Sequence, residues 1–183
     1  MKAAFSPARL DVRALARSGG RLDGDTSIQE CERLLAEIAP DAGSIPRIAW
    51  SAQGEWRERL GGTGQYWVHL TAELDLPLVC QRCLGAVTVS LEVDRSFRFV
   101  ADEATAERED EEADEDVLVL SPQFDLIGLI EDELLMALPL VPRHEPECPA
   151  PVQLSAQDAG FEPAAASDRP HPFAALAQLK QKP

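Results

Sequence analysis

The sequence is poor in lysine and aromatics, and it lacks a basic excess and long apolar runs. Only three of its 17 basic residues are Lys, they face 32 acids, and the formal net charge of the 183 residues is −15. A protein that holds nucleic acid mainly by neutralising phosphates carries a basic excess. Contact with RNA or DNA would therefore run through a local patch or a partner. Anionic membrane surfaces are disfavoured for the same reason. The longest apolar run, Leu134 to Val141, is eight residues and contains Pro139, far short of the roughly 20 that a membrane helix needs. The start, MKAAFSPARLDVRALARSGG, shows no apolar signal region and no cleavage site, so a cytoplasmic protein is expected. Also missing are a P-loop, G-x-G-x-x-G, G-x-S-x-G, H-E-x-x-H and any evident nucleophile–base pair, so an enzyme is not expected.

What is present is patterned. The length fits one domain, or one domain plus an ordered tail. Asp102 to Asp116 holds ten acids and one Arg, a net of −9 that leaves −6 for the other residues. Such a block self-repels and reads as a solvated loop, or as a surface for a basic partner. Nine of the 14 prolines fall between Pro139 and Pro183, which marks an extended, irregular exit. Between these landmarks the period is two. Tyr66, Val68, Leu70, Ala72, Leu74 and Leu76 alternate with polar neighbours, as do Val87, Val89, Leu91, Val93, Phe97 and Phe99. Both stretches predict half-buried strands, joined by a reversal around Pro77 to Gly85. Residues 45–59 predict an earlier hairpin turning near Gln53-Gly54, Leu10 to Leu15 another strand, and 116–121 a short one.

Two helices are expected. Ser27-Ile-Gln-Glu30 fits a capping box ahead of a stripe of Ile28, Cys31, Leu34, Leu35 and Ile38, ended by Pro40. The second helix runs over 124–138, with Ile127, Ile130, Leu134 and Leu138 on its apolar side. The architecture predicted is α+β: an antiparallel sheet of about five to six strands packed by two helices. The expected domain spans 1–148, with an acidic loop at 102–116. An extended Pro-rich tail, 149–183, closes in a short amphipathic helix.

Cys80-Gln-Arg-Cys83 is a C-x-x-C, a spacing that lets two thiolates hold one metal from a tight turn, and Leu84-Gly85 after it resembles a zinc knuckle. His144 and Cys148 offer a second half-site, and the four together make a tetrahedral Cys₃His set suited to zinc. Small residues packed in a turn, and a redox pair, are the competing readings. Redox pairs normally sit at a helix N-terminus, which disfavours the last. Cys31 reads as core, His69 as a surface side chain, and His171 has no evident partner.

Glu131, Asp132 and Glu133 point about 100° apart on a helix and cannot converge on one ion. They read as a solvated face or a partner-docking face. In the tail, Phe173, Leu176 and Leu179 recur at i, i+3 and i+6, with Lys180 and Lys182 suiting a helix C-terminus. That helix would dock on its own domain or in a partner's groove.

The combination of VCQRCLG, a strand, an acidic block, LIEDELLMALPLVPRHEPEC and a terminal HPFAALAQLK resembles the YceD family of large ribosomal RNA subunit accumulation proteins. The resemblance runs from about Leu10 to Lys182. The family's cysteine pair matches Cys80 and Cys83, and its acidic helix matches Glu131 to Glu133. Its proline-rich exit matches Pro139 to Cys148, and its terminal Pro-Phe motif matches Pro172-Phe173. The resemblance implies a cytoplasmic, non-catalytic factor for synthesis, processing or stability of 23S ribosomal RNA. In an acidic chain, direct RNA contact would then fall to Arg82, Arg95, Arg98 and Arg143, or a ribosomal protein would be the partner. A zinc-stabilised adaptor and an RNA-processing enzyme are the alternatives.

Overall fold

The two alternating stretches form the backbone of the sheet. A computed structural model describes residues 5–58 and 64–149, with Ala156 and Gly160. The chain divides into two compact units at residue 151, and the elements below belong to the first. They are, in order, α1 (Val12–Ser18), β1 (Arg21–Ser27), α2 (Glu32–Glu37), β2 (Arg47–Arg57), β3 (Gln65–Val79), β4 (Ala86–Val100), α3 (Glu103–Asp110), β5 (Asp116–Val119) and α4 (Leu126–Met136). One five-stranded sheet runs β1-β2-β3-β4-β5, so the class is α+β. Strands β1 to β4 pair antiparallel with their neighbours, whereas β5 runs parallel to β4. The sheet is therefore mixed, not antiparallel throughout. The short helix α3 carries the chain back along β4, as parallel pairing requires.

The period-two residues define the buried face. Val68, Leu70, Ala72, Leu74, Leu76 and Leu78 of β3 are buried, as are Leu91, Val93, Phe97 and Phe99 of β4. Leu10, Leu15, Ile28, Leu34, Leu126, Ile130 and Leu134 join them from the helices and the N-terminal segment. Leu10 also exchanges two backbone hydrogen bonds with Phe124, at 2.8 and 3.0 Å, which ties the N-terminal segment to the approach of α4. Pro77 is tolerated inside β3 because β2 stops pairing at Glu73. On that open side the Pro77 carbonyl accepts the Ala39 N–H at 2.8 Å, and no ladder donor is missed.

Four local expectations are corrected. First, the predicted strand over Leu10 to Leu15 is mostly helix: Asp11 caps α1 by accepting the Ala14 N–H at 3.0 Å, and Gly19 ends it at φ +59°. Second, β2 is one unbroken strand through Gln53-Gly54, not a hairpin. Gly54 is present because α1 lies directly on it. A Cβ there would come within 2.7 Å of the Leu15 backbone and 2.8 Å of the Ala16 nitrogen. A glycine within a strand marked close approach of a helix, not a turn.

Third, Ser27 opens a 3₁₀ turn, Ile28–Glu30, and accepts from Gln29 at 3.4 Å, so the capping box does not form. Leu35 of the expected stripe stays 41% exposed. Fourth, the acidic block is not a bare loop. It folds into α3, capped by Asp102, and the start of β5. Arg98, on β4 and 6% exposed, donates to both Glu109 and Glu115. A buried guanidinium needs compensating charge, and two of the ten acids supply it.

Candidate metal centre

The turn between β3 and β4 is built by the backbone of the cysteine motif itself. The Cys80 N–H donates to the Gly85 carbonyl and the Leu84 N–H to the Cys80 carbonyl, both at 2.9 Å. Leu84 takes φ +62° and leaves its side chain 75% exposed. The left-handed backbone of the knuckle is thus carried by a leucine at a cost of about 1–2 kcal/mol. The segment leaving α4 is drawn to this turn by the Gln81 N–H, which donates to the Pro142 carbonyl at 2.8 Å. That bond places His144 and Cys148 opposite the cysteine pair.

One ligand atom from each of Cys80, Cys83, His144 and Cys148 lies within 4.8 Å of the others. Cys80 and Cys148 Sγ are 3.9 Å apart, and Cys83 Sγ is 3.5 Å from His144 Nδ1. Ligands at ~2.3 Å from a tetrahedral ion stand about 3.8 Å apart, so these separations are those of a coordination shell. The imidazole is aimed correctly. Its Nε2 lies 3.0 Å from the Ala86 carbonyl, which can only accept. Nε2 therefore carries the proton, and the bare Nδ1 faces the thiols, the arrangement found behind metal-binding histidines.

The electrostatics point the same way. Burial opposes ionisation of Cys80, but hydrogen bonds from the Cys83, Arg82 and His144 backbone outweigh it and hold the thiol down at about 5. Cys148 is pushed up to about 11 by burial and by the neighbouring sulfurs. A cluster that ionises one thiol and crowds the next is relieved by a cation at its centre. These four residues could hold a metal ion.

The other sequence-predicted residues are placed as follows. Cys31 is fully buried in the core, and burial pushes its thiol up to about 11. His69 sits on the exposed side of β3, with Nδ1 3.1 Å from Ser96 Oγ and Nε2 3.4 Å from Asp94. Glu131 and Glu133 are 8% and 5% exposed, which corrects the expectation of a solvated face. Glu131 accepts the backbone N–H groups of Arg33 and Leu34, at 2.7 and 3.3 Å, and the Arg33 guanidinium at 2.7 Å. It thereby caps α2, whose first-turn donors would otherwise be unpaired. Asp132, exposed, pairs with the same Arg33 at 2.6 Å. Glu133 lies 3.7 Å from Arg95. Arg82 and Arg143 are exposed beside the cysteine turn, Arg143 facing Glu145 at 3.5 Å. Arg95 pairs with Asp116 and Arg98 with Glu109 and Glu115. Phe173, Leu176, Leu179 and His171 lie outside the described residues. Sequence reasoning missed Arg33 and the Ala86 carbonyl. Arg33 is 98 positions from its partner Glu131, and no local pattern joins them.

Residues 68–180 match the family described as large ribosomal RNA subunit accumulation protein YceD. The chain belongs to the YceD family. The match takes in the cysteine turn, β4, α3, β5, α4 and the His144–Cys148 segment of a YceD protein, while α1, β1 and β2 precede it. The chain is also similar to the large ribosomal RNA subunit accumulation protein YceD of Haemophilus influenzae, at 38% identity over 120 residues. That alignment covers 60% of this chain and 63% of the relative, slightly under two thirds of its length. No solved structure matches this YceD-family chain.

Proposed function

We propose that this protein supports accumulation of large-subunit ribosomal RNA, acting in synthesis, processing or stability of 23S RNA as a non-catalytic cytoplasmic factor. Membership of the YceD family carries the reading. The cysteine cluster adds a structural part: Cys80, Cys83, His144 and Cys148 hold a zinc ion that staples the β3–β4 turn to the segment after α4. Three thiolates and an imidazole fill a tetrahedral ion and leave no open position for a substrate or water, which is the pattern of a structural zinc and not a catalytic one. Arg82 and Arg143 flank the staple and would meet RNA there. Arg95 and Arg98 are occupied by carboxylates and serve the fold. Glu131 and Glu133 likewise work within the domain, which leaves Asp132 as the exposed acid of that helix for a partner.

Depleting the protein should lower 23S relative to 16S ribosomal RNA, and re-expression should restore the ratio. An unchanged ratio refutes the role. Elemental analysis of untagged, reduced protein should find one zinc per chain. Less than a tenth of that in the reduced protein refutes the staple.

A further inference from the structure

A second concave surface lies at the opposite end of β3 and β4 from Cys80, roughly 45 Å away at a rise of about 3.3 Å per residue. Cross-strand register sets Trp56, Tyr66 and Phe99 in a row across β2, β3 and β4. The Trp56 and Tyr66 rings are 4.6 Å apart, centre to centre, and tilted by 55°. Gly64 makes room for the indole: a Cβ at that position would come within 2.2 Å of it. Beside the row stands α1, which presents Arg13 and Arg17 one turn apart, both exposed. Their guanidinium carbons lie 5.9 and 5.7 Å from the Tyr66 ring centre, and Arg17 donates to the Tyr66 hydroxyl at 3.0 Å. These residues line a cavity of about 610 Å³, within the range of ligand sites.

The charge around this cavity runs against the chain as a whole. Among the described residues, Arg9, Arg13, Arg17 and Arg82 are the arginines with no carboxylate within ion-pair distance. Three of the four recur at every fourth position of the N-terminal segment, which puts Arg13 and Arg17 on one side of α1. Glu109, also in the cavity wall, is already neutralised by Arg98 and Arg108.

We propose that this cleft binds single-stranded RNA, with a base stacked on the Trp56–Tyr66 pair and adjoining phosphates on Arg13 and Arg17. Paired rings beside unpaired guanidinium groups answer both halves of a nucleotide: every base offers a π-face, and the phosphate offers the charge. An acidic peptide would use the cations and leave the rings idle. The choice of RNA over DNA rests on the ribosomal reading above, and the surface is distinct from the cysteine cluster.

The test uses the zinc-loaded full chain and ten-nucleotide oligouridine and oligoadenosine. Binding should quench tryptophan fluorescence, and ultraviolet crosslinks should map to Trp56 or Tyr66. The doubly substituted Arg13→Ala, Arg17→Ala protein alters exposed positions only, and circular dichroism checks its fold. Its affinity should fall roughly tenfold at low salt, and its logarithmic salt slope should shrink by about 1.4, as loss of two phosphate contacts on a single strand requires. Unchanged affinity and slope overturn the proposal. So do crosslinks confined to the Arg82–Arg143 end, or a hexaglutamate peptide that needs Arg13 and Arg17 while the oligonucleotides do not. The 23S to 16S ratio after depletion is independent of these results, so the two readings fail separately.

Discussion

At the residue scale, two neighbouring acids on one helix face opposite demands. Burial opposes the charge on Glu131, but the Arg33 guanidinium and the two backbone N–H groups outweigh it and hold the carboxyl below its ordinary value. Its contribution to stability is therefore complete above the unfolded value near pH 4.5 and is lost as pH falls through the lower folded value. Glu131→Gln should cost roughly 1.5–3 kcal/mol at pH 7, since it removes charge-assisted hydrogen bonds at a helix start. It should also flatten the acid limb of stability; urea midpoints between pH 7 and 3 check both. Glu133 behaves in the reverse sense. Burial, with Asp116 and Asp132, raises its value against the pull of Arg95. It favours the fold fully below the unfolded value, and that contribution fades as pH rises through the folded one. Glu133→Gln is therefore expected to be at least as stable as the parent at pH 7 in the same titration. Reading the acidic trio as a solvated face followed from its charge, and the mistake has a physical cause. Helical spacing shows which residues share a side, but not that a neighbouring helix start and Arg33 wait there.

At the element scale, the acidic block and the glycine of β2 show how tertiary neighbours decide local structure. A run of ten acids has no apolar face, and its own sequence argues for a loop. It folds because Arg98 is buried beneath it and needs two carboxylates. Arg98→Met should therefore loosen α3 before the rest of the sheet. Amide hydrogen exchange over residues 103–116 should accelerate at least tenfold while β3 remains protected. Persistence of parental protection there would count against Arg98 as the anchor. Gly54 makes the complementary point. A methyl group would strike the backbone of α1, so Gly54→Ala should cost about 1–3 kcal/mol by overpacking. Thermal melts measure that loss, and the displacement of α1 should weaken the Arg13–Arg17 cleft as well. The long strands needed no such help. Their period-two pattern is a statement about two faces, and both formed close to the residues that the pattern indicated.

At the whole-molecule scale, the proposed zinc staple joins segments 61 positions apart at the Cys83–His144 contact. A metal that binds the folded chain better than the unfolded one stabilises the fold by mass action. Chelation at neutral pH should lower the melting temperature by several degrees, and zinc should restore it. Cys148→Ser should reproduce the loss and should no longer respond to chelator. The sequence by itself determined the two long strands, the helix after β5 and the cysteine turn, and it singled out the four side chains proposed as ligands. Each is written in local spacing: period two, period 3.6, a C-x-x-C and a His-x₃-Cys. Tertiary structure alone decided that these four side chains converge, because the bond between Gln81 and Pro142 pulls the exit segment back to the turn. It also decided which charges remain available. Among the described residues, Arg33, Arg47, Arg95 and Arg98 are taken up by acids of other strands and helices, and the overall −15 conceals a basic, aromatic cleft formed where α1 crosses the end of the sheet. Net charge sums over the chain, whereas binding depends on the few charges that folding leaves without a partner.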